Sequence, residues 1–197
     1  MKVPRFGIRS FTLMEILVVV AIIGLLAGLS VPAVGGALAS ARKAKTMTMA
    51  HQIRTAISQF NMEYGYFPTN GGAGGFNSST GIGSTDTGLA LVLSGSTNDA
   101  RALTNNPRAI AFLEVPNEFT RVSAGNLSNG GIMTPANLYR SGPRRGQQPN
   151  FSVAVDVDYD GRVNVTNNTT VSNVSGSVHV WIRDPNDSER KTSGTWK

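Results

Sequence analysis

From Ile16 to Leu29 the chain reads Ile-Leu-Val-Val-Val-Ala-Ile-Ile-Gly-Leu-Leu-Ala-Gly-Leu, with no polar side chain. Ser30 and Pro32 interrupt the run only mildly, and Val31, Ala33 and Val34 continue it. At about 1.5 Å per helical residue, positions 16–34 are long enough to cross a bilayer. The residues alone leave three readings open. One is a secretory signal peptide, with Lys2, Arg5 and Arg9 as its basic start and Ala37-Leu38-Ala39 before Ser40 as its small-residue site. Its apolar stretch exceeds the usual roughly 7–15 residues. A second is an uncleaved anchor. The third turns on Glu15. A carboxylate near the start of an apolar helix is costly, and such a charge usually serves a function with a partner elsewhere. The same Glu could also rest at the membrane interface, favoured by a helix N-terminus.

Composition narrows the chemistry. The 197 residues contain no cysteine and two histidines, so a disulfide scaffold, a Cys-based zinc site and thiol chemistry are excluded. Lys plus Arg number 18 against 12 Asp plus Glu, a net charge of +6. That is modest for a nucleic-acid binder, and no aromatic interleaves with Arg140, Arg144 and Arg145 in the loop Ser141–Asn150. His51 lies on a basic helix face and His179 among alternating valines, which suits structural roles. Patterns for zinc proteases, serine hydrolases and phosphate loops are absent. An enzyme is not expected. The length suits one domain plus an appendage.

Beyond the apolar run, Ala37, Ala41, Ala44, Met47, Ala50, Ile53, Ile57, Phe60 and Tyr64 step by three or four. That spacing predicts a helix from Val34 to about Glu63 with one apolar stripe, stopped by Gly65 and Pro68. A Gly- and Ser-rich loop is expected over 70–88. Short helices are expected over Thr87–Leu93 and Asn106–Val115, capped by Asp86 or Thr87 and by Asn105 or Asn106. The C-terminal part alternates with period two in three runs, near 151–158, 162–166 and 177–182. These predict an antiparallel meander with one buried face, with Asp160-Gly161 as the hairpin turn between the first two. A long helix on such a sheet is an α+β domain. Asp156, Asp158 and Asp160 followed by Gly161 match the first half of a calcium loop. The twelfth position of that pattern is Asn167 instead of Glu, so a plain acidic turn competes with a calcium site.

The segment Ser10-Phe11-Thr12-Leu13-Met14-Glu15 and the apolar run after it resemble the prepilin-type cleavage and methylation segment shared by type IV pilins and type II secretion pseudopilins. The resemblance implies cutting between Ser10 and Phe11 by a membrane peptidase and methyltransferase, with Phe11 N-methylated. The family usually has Gly where Ser10 stands. It further implies that Glu15, fifth in the mature chain, neutralises the Phe11 amine of a neighbouring subunit. Tyr64-Gly65-Tyr66-Phe67-Pro68 resembles the segment after the helix in major pseudopilins, which also hold calcium near the C-terminal sheet. The implied organisation is a leader over 1–10, a helix over 11–64 with its transmembrane part at about 11–36, and a periplasmic domain over 65–197. The N-terminus would be cytoplasmic and the anchor would lie in the bacterial inner membrane. The implied protein is a homo-oligomeric, helical filament subunit of a type II secretion pseudopilus, acting with other pseudopilins and the inner-membrane platform. The alternatives are a type IV pilin for adhesion, motility or DNA uptake, and a binding module that never polymerises. Most type IV pilins carry a C-terminal disulfide, which this chain cannot form. Removal of 1–10 would also halve the net charge, further weakening a nucleic-acid role.

Overall fold

The computed structural model describes residues 11–68, 81–120, 131–135, 138, 148–167, 170–183 and 192–195. The leader with Ser10, the greater part of the Gly-rich loop, and the arginines at 140, 144 and 145 lie outside the described residues. The fold is α+β. Its order is α1 (Leu13–Tyr64), β1 (Ile82–Ser84), α2 (Thr87–Leu93), α3 (Ala100–Asn105), a short 3-10 turn (Asn117–Phe119), β2 (Ser152–Val155), β3 (Arg162–Asn167), β4 (Thr170–Ser175), β5 (Val178–Arg183) and β6 (Thr192–Gly194). The chain forms two compact units, Met1–Ala41 and Arg42–Lys197, and the boundary falls inside α1.

In the first unit, α1 is helical despite Gly24, Gly28, Pro32, Gly35 and Gly36. Interior Gly and Pro oppose a helix in water by about 1 and 3 kcal/mol each. Propensity therefore does not explain this half of the helix. Among the described residues no helix is long and apolar enough to cross a membrane. Side chains at 29–33, where the apolar run continues in sequence, are not among those described.

In the second unit, α1 buries Thr46, Met49, Ala50, Ile53, Ala56, Ile57 and Phe60. The stripe starts later and is broader than the one expected: Ala44 is exposed, and Thr46, Met49 and Ala56 take core positions. Gly65 ends the helix, its N–H donating to the Asn61 carbonyl at 2.8 Å. The buried face packs with Leu89, Val92 and Leu93 of α2 and with Phe151, Val153, Val155, Val178, Val180 and Ile182. Asp86 caps α2, accepting from the Leu89 N–H at 3.0 Å. Two exposed ion pairs, Lys45 with Glu118 and Arg108 with Glu63, add little stability.

The sheet corrects the expected meander. Its order is β1-β2-β5-β6, all antiparallel, while β3 and β4 form a separate two-stranded sheet. The Asp160-Gly161 turn does not join β2 to β3 as a hairpin. β2 pairs with β5 instead, placing Ser152 opposite Trp181 and Val155 opposite Val178. Both faces of the sheet are covered, not one. The second face holds Ala154 and Trp181, packed with Val163, Val165 and Val174 of the β3–β4 hairpin.

Two further elements differ from expectation. The helix expected over Asn106–Val115 is not formed, and α3 ends at Asn105 instead. The Asn106 side chain explains this. Its Nδ2 donates to the Val92 and Ile110 carbonyls at 2.9 and 2.8 Å, and its Oδ1 accepts from the Ile110 N–H at 3.0 Å and from the Tyr64 hydroxyl at 2.6 Å. These bonds supply the backbone partners a helix would have provided. Within the Gly-rich segment, Ile82–Ser84 is the edge strand β1. A Cβ at Gly81 would lie 2.0 Å from the Val155 carbonyl oxygen, so close backbone approach, not slackness, requires that glycine.

Candidate functional site

In the first unit the site begins at Thr12, a residue that reading of the motif overlooked. The Glu15 carboxylate accepts from the Thr12 N–H at 2.8 Å and from its hydroxyl at 2.9 Å. The Glu15 N–H donates to Thr12 Oγ1 at 3.2 Å. This is a reciprocal capping box, and the spacing Thr-x-x-Glu ahead of an apolar run was its signal. It fixes the start of α1 one residue after Thr12 and holds the carboxylate at the helix end beside Phe11. Phe11 and Leu13 are 77% and 84% exposed, and Ile16, Leu17, Val20, Ile23 and Leu26 are also open. Phe11, Thr12, Leu13, Ile16, Leu17 and Val20 line a shallow apolar groove. An isolated chain in water gains nothing from such a surface, which marks a face that another apolar surface covers.

In the second unit, Asp156, Asp158 and Asp160 are brought together, with carboxylate oxygens within 4.8 Å of one another. Asp156 is 4% exposed and already engaged. It accepts from the Asp160 N–H at 3.2 Å and the Gly161 N–H at 2.9 Å. Asp160 accepts from the Arg162 N–H at 2.7 Å. Between them Tyr159 stands at φ 58°. Its ring stacks on Phe67 at 6.0 Å and its hydroxyl donates to the Gly65 carbonyl at 3.4 Å. The acidic turn is thereby tied to the end of α1, a link nothing in the local sequence announces. Asn167 lies at the end of β3, opposite Thr170. Chemically the turn offers a hard cation three carboxylates on a fixed backbone.

His51 is exposed on α1, along a groove of about 650 Å³ that Gln52, Thr55, Phe112 and Glu114 also line. His179 is buried on β5, with Nε2 2.9 Å from the Ser175 carbonyl oxygen. Burial holds its imidazole below the ordinary range, against that hydrogen bond, and the Arg54 charge adds to the lowering.

No family model matches the chain, and no solved structure matches it. Curated proteins do. The chain is 32% identical to a fimbrial protein of Neisseria meningitidis over 74 residues, which is 38% of this chain and 44% of that protein. It is 32% identical to the type IV major pilin protein PilE1 of Neisseria gonorrhoeae over 66 residues, 34% of this chain and 31% of that one. It is 30% identical to the type IV major pilin protein PilE of the same organism over 74 residues, 38% and 44% of the two chains. The chain spans less than half the length of these relatives.

Proposed function

We propose that this chain is a membrane-anchored structural subunit of a filament of the type IV pilin kind. The observation that carries the reading is the exposed apolar half of α1, entered through a carboxylate and interrupted by helix-opposing glycines. In hydrocarbon, or between apolar helices, every backbone group must pair internally, and a helix then forms regardless of propensity. The similarity to major pilins supports the same reading.

Cleavage between Ser10 and Phe11 would release a basic leader and create the N-methylated Phe11 amine. That amine would stay on the cytoplasmic side until subunits stack, with the second unit outside the inner membrane. Stacking buries the amine, and Glu15 of a neighbouring copy neutralises it, because an unpaired buried charge is far costlier than a paired one. Within this class the secretion pseudopilus reading is supported by the absence of cysteine. The type IV pilin reading is supported by the relatives named above. Prepilin peptidase, other pseudopilins and the membrane platform are partners on the first of these readings.

Mass spectrometry of the N-terminal peptide from native membranes tests the proposal. A methylated Phe11 start, with the chain recovered in sheared filaments, is expected. A start at Ser40 would end the filament reading, and an intact Met1 would leave only an anchored protein.

Calcium belongs to the same proposal, at Asp156, Asp158 and Asp160. Ligand held only by the folded state stabilises it, by about 2.7 kcal/mol at one hundred times its dissociation constant. The melting temperature of the purified chain is therefore expected to rise on adding calcium and to return with chelator. An unmoved melting curve at millimolar calcium leaves a plain acidic turn.

A further inference from the structure

Arg42 opens the second unit, and its turn carries three cations, Arg42, Lys43 and Lys45. From Phe11 to Ala41 the chain holds no other Lys or Arg. Their place is the rim of the domain, not its solvent-facing back. Arg42 stands one helical turn before Thr46, the first position of α1 described as buried, and its carbonyl accepts from the Thr46 hydroxyl at 2.8 Å. Arg42 and Lys43 are half-buried, and Lys45 places its Nζ 2.6 Å from the Glu118 carboxylate. The Arg42 guanidinium forms no ion pair among the described residues. Side chains on a helix lean toward its N-terminus, so all three reach back toward the start of the unit. That is the end at which the chain arrives from its apolar run. Six residues part Arg42 from position 36, the expected end of the membrane part, which is about 9 Å of chain as helix and about 20 Å fully drawn out.

We propose that Arg42, Lys43 and Lys45 form a seat for anionic phospholipid headgroups, which holds the second unit down on the bilayer while the chain is anchored. The proposal rests on the anchored reading above and names the partner of that state. The positive-inside trend opposes cations on the outer flank of a span, so three together there call for a partner of opposite charge. Connectivity selects the lipid. The headgroup layer extends roughly 5–7 Å beyond the hydrocarbon, and long Lys and Arg stems reach back across the remaining distance. Phosphate is therefore within reach however the rest of the unit is turned, whereas an acidic protein face has to be brought there. A Lys or Arg at an anionic surface favours it by about fivefold. Lys45 shares its charge with Glu118, so the turn as a whole is expected to favour anionic over zwitterionic lipid by about tenfold or more. A subunit drawn out of the membrane must give these contacts up, and anionic lipid therefore slows its departure.

Native mass spectrometry of the full chain, released from nanodiscs of equal phosphatidylglycerol and phosphatidylcholine, counts the lipids it retains. The leader cations Lys2, Arg5 and Arg9 attract anionic lipid at the other face, so the first chain tested carries Lys2→Gln, Arg5→Gln and Arg9→Gln. It keeps the folded unit intact and is expected to retain phosphatidylglycerol about tenfold over phosphatidylcholine, with the preference fading at molar salt. Adding Arg42→Gln, Lys43→Gln and Lys45→Gln should remove the preference while leaving the melting temperature in pure phosphatidylcholine unchanged. A chain that alkaline carbonate strips from membranes overturns the anchored reading and the seat with it. A chain that stays in the membrane yet ignores headgroup charge overturns the seat alone. So does a preference that survives the added changes, or one that molar salt leaves untouched. Filament loss from those changes with lipid retention unaltered would instead assign the three cations to an acidic protein face.

Discussion

Replacing Glu15 by alanine is expected to leave the melting temperature of the second unit unchanged and to lower recovered filament roughly a hundredfold or more. The first half follows from geometry, since the bonds described for Glu15 run to Thr12, within the unit that ends at Ala41. The second half follows from the proposed pairing with a neighbouring Phe11 amine. The capping box complicates the alanine variant, because it removes a helix cap and a charge together. Glu15→Gln separates them, since glutamine can complete the same reciprocal cap without carrying charge. Filament loss in both variants assigns the role to charge. Normal assembly of Glu15→Gln would return Glu15 to a purely local function and sink the pairing.

Phe60→Ala acts in the other unit and should cost about 3–5 kcal/mol of folding stability. Phe60 is fully buried, and its ring meets those of Tyr64 at 4.7 Å, Phe112 at 5.4 Å and Tyr66 at 5.6 Å. Its removal leaves a void where α1, the end of that helix and the extended stretch after Asn106 converge. For a domain of this size the loss corresponds to a drop in melting temperature of roughly 6–20 °C. Phe60→Leu refills most of the space and should cost much less. A Phe60→Ala loss under about 1.5 kcal/mol would show that these elements repack freely.

Local signals were the legible part of this fold. Gly65 and Pro68 stop α1, Asp86 caps α2, and valine alternation marks β2 and β5, because each is decided by a few neighbouring residues. Pairing was not legible, since β2 meets β5 across the whole excursion from Asp156 to Ser177 and no single turn encodes it. Asp160-Gly161 looked like a hairpin turn, but the Asp156 carboxylate bonds the Asp160 and Gly161 N–H groups and diverts the chain into a separate two-stranded sheet. β1 was hidden because a glycine needed for close approach resembles a glycine in a loop. β4, reading Thr-Val-Ser-Asn-Val-Ser, carries too few apolar residues to stand out. For the candidate site, the carboxylates at 156, 158 and 160 were visible in the sequence and do converge. Thr12 was missed although its spacing to Glu15 was in plain view. Tyr159 on Phe67 is a long-range contact that only the fold creates.

Among the described residues the four-stranded sheet ends on both sides in three-residue strands, Ile82–Ser84 and Thr192–Gly194. Such stubs expose few unpaired N–H and C=O groups to an incoming strand. Copies held at high local density therefore find little template there for the runaway strand addition that yields amyloid. A filament subunit of the proposed kind would keep its stickiness in a helix and leave that sheet's borders inert.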